Sequence, residues 1–261
     1  MERYNELWTL DKISADRLAV LVVNVTRQLV RNGAEIYRAE DTARRICGKY
    51  KNIEYVNIYA TYNMVMVNFT CEGKDFFTMR TFQGIDYNLE KVSRVNEFSR
   101  NFTQGMYTID EGIEIVRKIY MEEENDMLPL SIFAGLGSAF LIANFNGGVV
   151  DFFITLTAAF CGQLIASMGA KRELPLFINT IIGCLIASLI CVLGVKLGIG
   201  KSLNIVITGA IMPFLPGVSF TNSIRDFLSG DMASGLYGLV HSLIVGAGMA
   251  LGVGTTLLFF R

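Results

Sequence analysis

The chain of 261 residues holds one histidine, one tryptophan and four prolines. A single histidine cannot build the His-rich ligand sets of catalytic zinc, and no recognisable nucleophile accompanies it to make a nucleophile–base pair. Five cysteines, Cys47, Cys71, Cys161, Cys184 and Cys191, form no CxxC pair, and three of them lie in apolar runs where a thiol behaves as a small hydrophobe. Disulfides, structural zinc and any other metal are therefore not expected. The sequence also lacks GxxxxGK and GxSxG, which removes the phosphate loop and the nucleophile elbow. No basic stripe is interleaved with aromatics, so nucleic acid is not an expected partner. These absences point away from an enzyme and imply no cofactor.

What is present is an uneven distribution of charge. The whole chain is 52% hydrophobic and 18% charged with a mean hydropathy of +0.41, too apolar for a soluble domain and too charged for a protein buried throughout in lipid. Residues 1–127 hold 17 of the 23 Lys and Arg and 20 of the 24 Asp and Glu. The remainder, 128–261, is nearly continuous hydrocarbon. The reading is two domains, a charged one at 1–127 and a transmembrane one at 128–261. The first residues carry both signs of charge and the first apolar run is short, a pattern unlike a secretory signal.

Within the first part, Leu18, Leu21, Val22, Val25 and Leu29 recur at helical spacing and stop at Asn32-Gly33. A second helix is predicted at about 36–50. Segments 56–60, 64–70 and 76–82 are rich in β-branched and aromatic residues, with a turn at 71–75, and predict a small antiparallel sheet. Helical spacing returns at 89–102 and 110–121, and the acidic run 122–126 reads as a solvated hinge. The fold class is thus α+β, helices plus a small antiparallel sheet, followed by an α-helical membrane bundle. About 20 apolar residues cross the roughly 30 Å hydrocarbon layer. Five segments qualify: 128–145, 149–168, 176–197, 203–220 and 237–260. Lys171, Arg172 and Arg225 share a side with the charged domain, which the positive-inside rule makes cytoplasmic, although Lys196 and Lys201 fall opposite.

The most polar interruption of the apolar half runs from Pro213 and Pro216-Gly217 through Asn222, Arg225 and Asp226 to Asp231. Proline lacks an N–H and glycine tolerates unusual dihedrals, so the fourth span should unwind there, and discontinuous membrane helices commonly hold transported solutes. Asn222 and Asp226 share a helix face, while Arg225 could neutralise Asp226 or bind a carboxylate. The alternative is an ordinary loop whose ends are capped by Arg225 and Asp231. Asp151 reads as a helix N-terminal residue, His241 as an interfacial histidine or a proton relay with Asp231, and Asn179, Thr180 and Thr208 as helix-to-helix hydrogen bonders. Small residues form seams at Gly246/Ala250/Gly254, Gly248/Gly252 and Ala134/Ser138, which signal close packing within the chain or in a homo-oligomer. In the charged domain, Gly33, Glu35, Arg38, Glu40 and Asp41 open a helix, with Arg38/Asp41 and Glu40/Arg44 at ion-pair spacing. A hydrolytic carboxylate set at Glu35, Arg38, Glu40 and Asp41 on a membrane tether, or a regulatory scaffold, are competing readings.

Three strings in order, Gly33-Ala-Glu35-Ile-Tyr37-Arg38-Ala-Glu40-Asp41-Thr42, Asn88-Leu89-Glu-Lys91-Val92 through Asn96 to Arg100, and Pro216-Gly217-Val through Asn222-Ser-Ile-Arg225-Asp226 to Gly230-Asp231, resemble the threonine/serine exporter family. The resemblance implies a cytoplasmic domain ahead of membrane helices in a bacterial inner membrane. It also implies export of a small carboxylate-bearing metabolite, threonine/serine or a succinate-like dicarboxylate; the polar cluster itself suggests that Arg225 holds the carboxylate and that proton binding at Asp226 or Asp231 helps drive export. Family members have about ten membrane helices, so this chain is more similar to split members that work with a short all-membrane partner subunit.

Overall fold

The computed structural model describes residues 8–82, 84–85, 87–122 and 126–260; the charged first residues and most of the predicted acidic hinge lie outside them. The chain divides into two compact units, Met1–Glu123 with Val218–Leu239, and Glu124–Gly217 with Val240–Arg261.

In the first unit, α1 (Lys12–Arg31) and α2 (Ile36–Cys47) precede a three-stranded sheet, β1 (Ile53–Thr61), β2 (Met64–Cys71) and β3 (Lys74–Thr81), and α3 (Leu89–Thr103) and α4 (Ile109–Met121) follow it. The sheet is an antiparallel meander in the order β1-β2-β3. Glu72 and Gly73, both with positive φ, make the two-residue turn that the twist of a hairpin favours. Val65, Val67, Phe69 and Cys71 alternate along β2 toward the core. They join Leu18, Leu21, Val22, Val25 and Leu29 of α1, the positions whose spacing marked the helix. Trp8 closes one end of this core, its ring edge-on to Tyr50 and to Phe102 at centroid distances of 5.4 and 6.1 Å. α4 begins with a full capping box between Thr108 and Glu111. Helix α9 (Gly217–Leu228), from Val218 on, and the start of α10 (Met232–Phe259) also belong to this unit.

The second unit is helical: α5 (Met127–Ile142), α6 (Val149–Lys171), α7 (Leu176–Lys196), α8 (Leu203–Ala210) and the rest of α10. Among the described residues four helices, Met127–Phe145 (α5 with its terminal 3₁₀ turn), α6, α7 and α10, are long and apolar enough to cross a membrane, and a fifth is reached if Leu203–Phe214 and Gly217–Leu228 count as one broken span. The predicted fourth span, 203–220, unwinds at its prolines as expected. Its helix stops at Ala210, passes through a 3₁₀ turn at Met212–Phe214 and restarts at Gly217, because Pro213 and Pro216 cannot donate to the ladder. The fifth begins at Met232 rather than 237. No proline separates these positions, and Asp231 accepts the Ser234 N–H at 3.1 Å, capping the earlier start.

Close packing in this unit occurs where glycine removes a side chain. A Cβ at Gly135 would come within 2.9 Å of the Leu156 carbonyl, at Gly162 within 2.8 Å of the Gly183 carbonyl, and at Gly252 within 2.6 Å of the Ile181 carbonyl. Of the two seams on α10, Gly248/Gly252 faces α7, whereas Cβ atoms at Gly246 and Gly254 would meet nothing within 4 Å. Asn179 and Thr180 bond the carbonyls of Leu174 and Leu176, local contacts rather than the expected links between helices, and Thr208 is exposed. The buried inter-helix pair is instead Ser188 with Thr256, at 2.8 Å. Asp151 ties down loops as an N-terminal residue should, accepting the N–H groups of Gly148 at 3.1 Å and Lys201 at 2.9 Å.

Two outcomes test this packing. Gly252→Leu should cost about 3 kcal/mol or more through overpacking against α7, while Gly254→Leu should melt within a degree or two of the parent in detergent. Asn52 accepts the Leu10 N–H at 2.9 Å and donates to the Leu10 carbonyl at 2.6 Å. Asn52→Ala should cost about 2 kcal/mol by stranding both groups, read from thermal unfolding followed by circular dichroism.

Candidate functional site

The site begins at the break between α1 and α2. Gly33 has φ +91°, a left-handed conformation that glycine adopts without strain, and a Cβ there would lie 2.6 Å from the Tyr87 ring. The turn leaves the Gly33 carbonyl free for another partner and delivers Glu35 to the N-cap position of α2. Glu35 does not cap the helix with its side chain. Its carboxylate turns instead to two guanidinium groups.

Those partners come from opposite ends of the sequence. On α9, Asn222, Arg225 and Asp226 stand three and four residues apart and so share one face. Asn222 donates from Nδ2 to the Gly33 carbonyl at 3.0 Å. Arg225 donates to Glu35 Oε1, and Arg38 donates to Glu35 Oε2 at 3.1 Å. Arg225 therefore pairs with Glu35 and not with its neighbour Asp226, whose buried carboxyl is taken by Tyr62. Burial pushes the Glu35 carboxyl up, but Arg225 and then Arg38 outweigh it and hold the group below the ordinary carboxylate value.

Asp226 has a different environment. It is fully buried, and its Oδ2 accepts the Tyr62 hydroxyl at 3.1 Å. Its Oδ1 makes no hydrogen bond of full geometry, although the Ile36 N–H in the first turn of α2 faces the carboxyl. Tyr62 stacks on Tyr237 at 5.1 Å, and burial first, then the Asp226 charge, pushes its phenol up, so it remains a donor. A Cβ at Gly238 would lie 2.2 Å from Ser223 Oγ and 3.1 Å from the Tyr62 hydroxyl, which leaves room for glycine alone.

The other charges of α2 are committed to structure. Glu40 takes Arg44 at 2.8 Å and the Ala60 N–H at 3.0 Å, tying α2 to β1. Asp41 pairs with Arg45 at 2.8 Å, so the Arg38–Asp41 pair expected from spacing is replaced by Arg38–Glu35 and Asp41–Arg45. Both carboxylates thus have the arginine partners of a structural ion pair. Among the described residues no three His, Cys, Asp or Glu side chains are placed to share a metal ion.

Beside these groups lies a cavity of about 340 Å³ within the first unit. Its wall is drawn from all three strings singled out in the sequence: Gly33, Glu35, Arg38 and Asp41 from the first, Leu89, Asn96 and Arg100 on α3 from the second, and Asn222 and Arg225 on α9 from the third. Four arginines, Arg38, Arg45, Arg100 and Arg225, face two carboxylates, Glu35 and Asp41. Such a wall favours a small anion. Pro216, Gly217, Glu40, Asp226 and Asp231 do not line it; Asp231 caps α10. Residue-by-residue reasoning missed Asn96, Arg100 and Tyr62. Leu89, Val92, Asn96 and Arg100 do fall on one helical face, a signal that could have marked the α3 wall. Tyr62, in the tight turn between β1 and β2, carried none.

A protein-family model described as "Putative threonine/serine exporter" matches residues 20–260. The chain is 23% identical over 176 residues to a protein named "Threonine/serine exporter" from Corynebacterium glutamicum, covering 65% of this chain and 36% of that protein. It is 20% identical over 248 residues to a "Probable threonine/serine exporter" from Mycobacterium tuberculosis (strain ATCC 25618 / H37Rv), covering 94% of this chain and 46% of that one. The chain thus spans less than half the length of these relatives. No solved structure gives a significant match. The match of the family model over nearly the whole sequence, with the three strings meeting at one cavity, establishes that the chain belongs to the threonine/serine exporter family.

Proposed function

We propose that this chain is a subunit of a membrane exporter of small carboxylate-bearing metabolites, and that the cavity walled by α2, α3 and α9 is where the solute is first held. The observation that carries the reading is the convergence of the three strings on one cavity with an excess of guanidinium groups. Arginine presents planar paired donors that match a carboxylate. The Glu35–Arg225 pair holds α9 against the turn at Gly33, so a solute that competes for Arg225 also acts on how α9 is held.

In this proposal Asp226 is the proton-linked group. Its carboxyl is enclosed and touches Tyr62, so gain or loss of a proton changes a contact that fixes α9 to the β1–β2 turn. The unit bearing the cavity lies on the cytoplasmic side of a bacterial inner membrane, and the helical unit spans it. A second, short membrane subunit of the same family supplies the rest of the pathway, in keeping with relatives more than twice as long as their matched portions.

Two measurements test this. In cells expressing the chain with its partner, Arg225→Ala and Asp226→Asn should each lower efflux of labelled threonine or succinate by about tenfold or more, the size of losing a charge-assisted hydrogen bond. Unchanged efflux at equal membrane abundance would remove both residues from the mechanism. The second concerns acid. The Glu35 carboxyl is depressed in the folded state, so its stabilisation is complete above the ordinary value of 4.5 and is lost as pH falls through the folded value. The melting-temperature gap between the parent and Glu35→Gln should be constant from about pH 6 to 8 and close below the ordinary carboxylate range.

A further inference from the structure

We propose that the outer face of α9, continued by the first turns of α10, is seated on the acyl chains of the bilayer, so that the first unit rests on the membrane surface through this face. The proposal does not depend on what the cavity holds.

The observation behind it is an amphipathic helix turned inside out. A helix of a water-facing domain buries its apolar stripe and shows its polar one. On α9 the buried positions are Ser219, Asn222, Ser223 and Asp226, all polar and at the i, i+3, i+4, i+7 spacing of one face. Phe220, Ile224 and Leu228, four residues apart on the other side, are exposed, Leu228 by 83%. The spacing carries across the turn, where Met232 and Leu236 of α10 are exposed by 67% and 56%. That turn is fixed by hydrogen bonds: Gly230, at φ +93°, donates to the Phe227 carbonyl at 3.1 Å, and Asp231 donates to the Asp226 carbonyl at 2.9 Å. Phe227 also packs over Gly235, where a Cβ would lie 2.7 Å from its ring. The two helices thus hold their apolar stripes at a set angle.

What covers this face follows from where the chain goes. α10 runs unbroken from Met232 to Phe259 and is apolar enough to cross a membrane, so Met232 and Leu236 begin a stripe that continues into the lipid. Only Leu215-Pro216 separates α9 from the 3₁₀ turn before it, and only Ser229–Asp231 separates it from α10. Links so short reach about 15 Å at most, which keeps both ends of α9 close to apolar helices. Water would meet a row of bare hydrocarbon there. The upper acyl region, into which an interfacial helix sinks its apolar face by about 5–10 Å, matches it.

The test is fluorescence quenching of the full chain reconstituted in liposomes of phosphatidylcholine brominated on its acyl chains, with Trp8→Phe as background so that each variant holds one indole. Ile224→Trp, Leu228→Trp and Met232→Trp should each lose about half or more of their emission relative to unbrominated liposomes, as the depth of an interfacial helix requires. Leu243→Trp, farther along α10 and also exposed, reports that the chain has inserted. Circular dichroism and melting verify folding, and Phe220→Trp replaces any α9 variant that fails. If the Leu243→Trp control is quenched while aqueous iodide, and not the brominated lipid, quenches the α9 indoles, the face is wet and the proposal falls. If neither quencher reaches them, protein covers the face, a second copy or another subunit, and the proposal falls equally.

Discussion

The ion pair between Glu35 and Arg225 joins residues 190 positions apart in sequence. Closing so long a loop has an entropic cost that one solvent-touched ion pair would not offset. The pair persists because it is one of three contacts on the same face of α9, with Asn222 on the Gly33 carbonyl and Asp226 under Tyr62. Each fixes the geometry in which the others form. Together they place α9 in the first unit, although the chain reaches it only after four apolar helices.

Much of this was legible in the sequence. The spacing of Leu18, Leu21, Val22, Val25 and Leu29 gave α1, the β-branched runs gave a three-stranded meander, and Pro213 and Pro216 marked the break in the fourth apolar segment. Burial against one face imposes a period, and proline removes a donor wherever it occurs; both effects are local. The partners of Arg225 were not legible. Spacing on a helix reports which residues share a face, but the identity of the facing surface depends on the tertiary fold. Hence the two motifs, read separately as a membrane pocket and a charged helix start, meet as one cluster. The same limit explains Arg38, whose spacing to Asp41 was suitable but whose carboxylate partner is Glu35, and Asn179, whose amide found a local carbonyl.

The glycines divide into those fixed by backbone angle and those fixed by approach. Gly33 is both, with a left-handed φ and an aromatic ring where a Cβ would sit. Gly252 is helical and is required only by the closeness of α7. Sequence seams of small residues cannot be told apart on composition, and the α10 helix shows why: one seam is filled by a neighbour while the other is bare.

The position of Trp8 has an optical consequence. It is the sole indole in the chain, and its ring rests on Tyr50, Phe102 and the backbone at Gly105, all in the first unit. Emission excited at the red edge of protein absorbance therefore originates from one end of one core, while the apolar helices, which carry no such chromophore, stay dark.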